Sequence, residues 1–96
     1  MTSKQRAYLR GLANTIDAIF QIGKSGLSDN LLKQISDALE ARELIKISVL
    51  ETAPANAKVL GNEIAKATNS VLVQTIGSKI TLFRPRKKDS KIVLPQ

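Results

Sequence analysis

Residues 18–50 read AIFQIGKSGLSDNLLKQISDALEARELIKISVL. The apolar run Ala18-Ile19-Phe20-Gln21-Ile22 has the length and composition of a short buried strand, and Gly23 stops it. Ser28 is a good N-cap, with Asp29 favourable in the first turn behind it. Leu31, Leu32, Ile35, Ala38 and Leu39 then recur at helical spacing as one apolar stripe. Asp37, Glu40 and Glu43 sit near the far end, at the i,i+3 spacing of a solvated face. From Leu44 the period changes. Leu44-Ile45-Lys46-Ile47-Ser48-Val49-Leu50 is β-rich and partly alternating, with Lys46 and Ser48 on one side and Ile45, Ile47 and Val49 on the other. Two strands joined through a helix can pair in parallel.

Working outward, Thr2 or Ser3 can cap a first helix that runs to about Ala13. Leu9, Leu12, Ala13 and then Ile16 recur on its inner side, with Lys4, Arg6 and Arg10 as polar positions. Arg6 and Arg10 are four apart and share a face. Downstream, Pro54 suits the first turn of a third helix, whose core face is Val59, Leu60, Ile64, Ala65 and Ala67. Val71–Ile76 reads as a third strand. Gly77-Ser78 is a two-residue hairpin signal of the II′ kind, and Lys79–Phe83 returns as a fourth strand. The order is α-β-α-β-α-β-β. It predicts one α/β domain over residues 1–96: a mixed four-stranded sheet packed by helices, the last two strands an antiparallel hairpin, the strand order open.

Composition bounds the chemistry. Ninety-six residues with 43% hydrophobic content supply one core. A net charge of +7 favours a polyanionic partner: RNA, DNA or an anionic membrane surface. There is no Cys and no His, which excludes disulfides, Cys/His zinc sites and His-based acid–base chemistry. No metal or cofactor is implied. The eight carboxylates fall in no active-site-like context, so the expectation is a non-enzyme. The opening MTSKQRAYLRGL lacks the apolar core of a signal peptide, and no run has the length of a membrane span; a soluble cytoplasmic protein is expected.

The charge is uneven. Residues 84–91, Arg84-Pro85-Arg86-Lys87-Lys88-Asp89-Ser90-Lys91, carry +4 of the +7. Such a segment contacts phosphates with little base preference and strong salt dependence. The apolar Ile92-Val93-Leu94-Pro95 behind it is expected to pack back on the domain. Lys46 and Lys79 read as strand-edge or solvent-face lysines that discourage edge pairing. Phe20 reads as core, and packing is also the first reading of Tyr8 and Phe83. An aromatic content of 3% disfavours a base-stacking sheet.

The tetrapeptide Gly23-Lys24-Ser25-Gly26 is the one place where the sequence suggests a ligand. Its backbone N–H groups and the helix N-terminus behind it suit a phosphate, and a Gly-x-x-Gly loop clamps the RNA backbone in KH-type modules. A plain strand-to-helix turn is the other reading. A Walker A motif would need a further glycine at position 18, which is Ala18.

Four passages together resemble one family: K-Q-R-A-Y-L-R-G-L-A from Lys4, G-K-S-G-L-S from Gly23, L-x-x-Q-I-x-x-A-L-E-A-R-E-L-I-K-I from Leu31, and I-G-S-K-I-T-L-F-R-P from Ile76. They look like the CRM (chloroplast RNA splicing and ribosome maturation) domain, in its free-standing bacterial YhbY-type form, over about residues 3–95. The resemblance implies an α/β RNA-binding fold similar to the C-terminal domain of translation initiation factor three. It also implies association with precursors of the large ribosomal subunit; plant relatives use the domain in intron splicing. The family's Gly-x-x-Gly falls on Gly23, Lys24, Ser25 and Gly26, and its basic character on Lys4, Arg6, Arg10 and Arg84. Arg86, Lys87 and Lys88 would widen the footprint. The resulting expectation is a monomeric protein that binds rRNA in large-subunit precursors, without membrane or small-molecule partners. The alternative is a ribosome-docking protein-interaction module whose charge is incidental. A DNA-binding role ranks last, for want of a helix-turn-helix or a dimer seam.

Overall fold

A computed structural model describes residues 1–96. The elements are α1 (Ser3–Ala13), β1 (Ala18–Ile22), α2 (Asp29–Arg42), β2 (Leu44–Val49), α3 (Ala57–Thr68), β3 (Val71–Ile76) and β4 (Lys79–Phe83). The expected order therefore holds. Each helix begins at a side-chain cap: Thr2 in a reciprocal capping box with Gln5, Ser28 accepting from Leu31 N–H, and Asn56 accepting from Val59 N–H.

The sheet runs β1-β2-β4-β3. β1 and β2 are parallel, while β4 is antiparallel to both β2 and β3. The β3–β4 turn has positive φ at Gly77 and not at Ser78, as a II′ turn requires. Successive strand residues face opposite sides of a sheet. Ile45, Ile47, Ile80 and Leu82 accordingly pack with Ile35 and Leu39 of α2 and Leu60 and Ile64 of α3. Leu44, Val73 and Phe83 turn the other way, against Leu9 and Ala13 of α1 and against Ile92 and Leu94. The result is three layers: α2 and α3, the sheet, then α1 with the C-terminal segment. Burying each large aliphatic side chain contributes about 1.5–3 kcal/mol.

Four expectations are corrected. Helix α3 starts at Ala57, not at Pro54, because the Asn56 side chain supplies the cap; Pro54 packs instead on Gly26. Val59 and Ala67 are exposed, and the buried face of α3 is Ala57, Leu60, Gly61, Ile64 and Thr68. Of the two readings of Lys46 and Lys79 the edge one fails, because β2 and β4 are the two central strands; Lys79 is exposed on a sheet face and Lys46 half-buried. Glu43 belongs to no solvated face: it is 1% exposed.

Candidate nucleic-acid interface

The strand directions place the candidate residues. The Gly turn follows Ile22, whose register partner is Val49 at the end of β2. Arg84 follows Phe83, whose partner is Leu44 at the start of β2. The turn and the basic segment thus lie at opposite ends of the sheet, separated by the length of β2, about 17 Å. The structure does not bring Gly23–Gly26 together with Arg84, Arg86, Lys87 and Lys88.

At the first end, Gly26 N–H donates to Gly23 C=O at 3.0 Å and closes a β-turn with Lys24 and Ser25 at its tip. Both tip residues are exposed, and their N–H groups meet no backbone carbonyl of the chain. Gly26 is buried with φ +65, and a Cβ there would stand 2.9 Å from Pro54 Cγ. Gly23 has no such constraint; a Cβ would make ordinary contacts with Leu50 and Thr52 at 3.5 and 3.7 Å. The N-termini of α2 and α3 both open at this end, which is also the carboxyl end of the parallel β1–β2 pair. That is where open α/β sheets bind ligands. Asp29, in the first turn of α2, opposes an anion there. A cleft of about 390 Å³ adjoins, lined by Leu50, Ala53, Asn56, Gly77 and Ser78 among others.

At the opposite end the cations are mostly engaged within the fold. Arg84 donates to Ser36 Oγ (3.0 Å), Ser36 C=O (2.7 Å) and Thr68 C=O (2.8 Å), and lies 3.6 Å from a Glu40 oxygen. It ties the end of β4 to α2 and α3. Arg86 donates to the carbonyls of Glu40 and Ala41, orphan acceptors at the C-terminus of α2. Glu43, with φ +66, caps α2, and its carbonyl accepts from Arg84 N–H. Its carboxylate accepts from Ser90 Oγ and Lys91 N–H at 2.5 Å and from Arg86 and Ile92 N–H at 3.4 Å. Burial works against that charge, but the hydrogen bonds from Ser90, Lys91, Arg86 and Ile92 outweigh it and hold its pKa below the ordinary value. Residues 84–94 are therefore strapped down, with Lys87 and Lys88 pointing outward as exposed side chains.

On α1, Lys4 and Arg10 are exposed, whereas Arg6 is half-buried and donates to Leu72 C=O (2.8 Å) and Val73 C=O (2.7 Å). Those carbonyls lie at a bulge in β3, an edge strand, so Arg6 closes an open edge. Phe83 is 3% exposed and available to no base, while Tyr8 is 42% exposed. The sequence reading missed Glu43, whose only local signal is its place before a strand.

The CRS1/YhbY (CRM) domain model matches residues 1–84. The Bacillus subtilis protein named probable RNA-binding protein YqeI is 45% identical over 95 residues, covering 99% of both chains. A Haemophilus influenzae protein named RNA-binding protein is 34% identical over 96 residues, covering 100% of this chain and 96% of its own. A solution structure from Staphylococcus aureus, whose own description offers RNA binding as its candidate role, superposes with a TM-score of 0.82 at 50% identity, covering 99% of each chain. No helix here is long and apolar enough to cross a membrane.

Proposed function

The chain belongs to the CRS1/YhbY (CRM) domain family, and on that premise we propose that it is an RNA-binding protein whose Gly23–Gly26 turn receives the RNA backbone. The observation that carries this is the turn itself. Its two tip N–H groups are free, its tip side chains are an exposed cation and a hydroxyl, and it opens into a helix N-terminus at the carboxyl end of parallel strands. Lys24 adds charge to the phosphate contact and Ser25 a donor. Lys4, Arg10, Lys87 and Lys88 contribute a long-range, salt-sensitive field; Arg6, Arg84 and Arg86 act by holding the fold that presents it. The RNA is rRNA in precursors of the large ribosomal subunit, and the protein acts there without catalysis. Selectivity comes from RNA shape and unstacked bases.

The test is Lys24→Asp/Ser25→Asp with both glycines kept. Neither side chain makes a hydrogen bond within the fold, so thermal stability stays within about 0.5 kcal/mol of wild type. RNA affinity drops at least tenfold (about 1.4 kcal/mol) through loss of a cation and gain of two anions beside a phosphate. The variant also leaves the large-subunit precursor fractions of a sucrose gradient. Unchanged affinity removes the turn from the interface. Retained sedimentation after nuclease treatment favours docking on ribosomal protein.

A further inference from the structure

Lysines on strands usually protect edges, yet Lys46 and Lys79 stand on the two central strands. Ile45 and Ile47 face α2 and α3, so Lys46 and Ser48 face the side of α1. Register places Ser48 opposite Lys79 and Lys46 opposite Thr81. The same rows continue outward, to Gln21 on β1 and Ile76 on β3 in the first, and to Gln74 on β3 in the second.

Helix α1 and the C-terminal segment cover only one end of this face, where Leu44, Val73 and Phe83 are buried. In the row nearest the Gly turn Gln21 and Lys79 are exposed and Ile76 is 63% exposed, with Ser48 buried between them; in the next row Lys46 and Gln74 are half-buried and Thr81 is buried. Gln21 is separated from Gly23 by one residue. Lys79 places one of its three donors on Ser48 Oγ at 3.1 Å, leaving two for a ligand. Lys46 is in no ion pair; the chain's two pairs are Lys33–Asp37 and Arg84–Glu40. No strand residue is acidic, so the sheet carries two cations and no carboxylate.

We infer that the open half of the sheet is a second RNA contact, a track on which a single strand leaving the Gly turn lies across β2 and β4. Lys79 and Lys46 take successive phosphates, and the Gln21 and Gln74 amides and the Ile76 side chain meet bases or riboses. The occupant is single-stranded because the contact is a flat sheet row with no helix or ribbon to enter a groove, and because amides read unpaired base edges. The inference rests on the reading of the turn as the entry point for RNA.

The experiment measures binding of the full chain to a fluorescent decauridylate over a range of salt concentrations. The Lys46→Gln/Lys79→Gln variant is compared with Lys33→Gln/Lys66→Gln, which removes the same charge from α2 and α3. Each phosphate contact on a single strand contributes about 0.7 to the slope of log affinity against log salt, so the sheet pair lowers the slope by about 1.4. The helix pair leaves it nearly unchanged. Equal losses in the two pairs overturn the track, since net charge alone would then account for both. A full slope in the sheet pair together with weak binding in Lys24→Asp/Ser25→Asp overturns the track and leaves the turn standing. The reverse pattern removes the turn and keeps the sheet contact. Should the sheet pair fail to fold, amide shifts of the wild type on adding the same RNA decide. Shifts at Lys46, Ser48 and Lys79 support the track, and shifts confined to α2 and α3 overturn it.

Discussion

The two ends of the sheet use their cations differently. At the carboxyl end of β1 and β2, Lys24 is exposed on a turn and Lys79 holds a single partner. At the other end, Arg84 and Arg86 are engaged with backbone carbonyls and Ser36, and a buried carboxylate, Glu43, gathers four donors from the segment that follows. Basic composition alone would assign both ends to RNA. Hydrogen-bond geometry separates them, because a guanidinium that satisfies helix carbonyls is part of the scaffold even though its charge remains.

The sharpest way to break the contrast is Glu43→Ala. It removes the acceptor for the Ser90 hydroxyl and leaves the N–H groups of Arg86, Lys91 and Ile92 without that partner. The expected loss is about 3 kcal/mol in urea unfolding, with hydrogen-exchange protection lost first at Lys91 and Ile92. RNA affinity at the Gly turn should hold within about twofold (about 0.4 kcal/mol) under folding conditions. The same latch has a pH signature. Its folded pKa lies below that of an ordinary glutamate, so its contribution is full above the ordinary value and disappears as pH falls through the folded pKa. Acid titration of stability should therefore be steeper in wild type than in Glu43→Gln. Equal slopes would mean that the carboxylate holds nothing.

Next in size is Arg84→Ala. Three hydrogen bonds to Ser36 and Thr68 disappear, and the end of β4 loses its tie to both helices. About 2 kcal/mol of stability should be lost, with little change in RNA affinity once the variant is folded. A variant that keeps its melting temperature but binds RNA tenfold more weakly would turn Arg84 from scaffold into interface, and would end the distinction between the two ends.

Local signals carried most of the fold. Ser28, the Gly77-Ser78 turn and the periodicity of Leu31–Leu39 each name their own element, because capping and turn chemistry act within a few residues. What was not legible depended on distant partners. Strand order decides whether Lys46 and Lys79 sit at edges or at the centre, and nothing near either lysine encodes it. Glu43 looks like any helix-terminal carboxylate until residues 86–92 return to it. Asn56 displaced Pro54 as the start of α3 because a side-chain acceptor for Val59 N–H outweighs a residue that merely tolerates the first turn. The Gly turn was visible as a motif, but the unequal standing of its two glycines was not.

That inequality supplies the finest test. Gly26 is held at φ +65 against Pro54, so Gly26→Ala meets both a strained backbone and a Cβ 2.9 Å from the ring. A loss of about 1–2 kcal/mol follows, as the turn or the loop carrying Pro54 must shift. Gly23→Ala meets neither obstacle, and its Cβ finds Leu50 at ordinary contact distance. Stability should change by no more than about 0.5 kcal/mol, in either direction. Because the fold does not require a glycine at position 23, any RNA defect in Gly23→Ala reports on the ligand: a backbone approaching too closely for a methyl group. Full RNA affinity in a folded Gly23→Ala protein would mean that the phosphate keeps clear of this residue, and would confine the contact to Lys24, Ser25 and the start of α2.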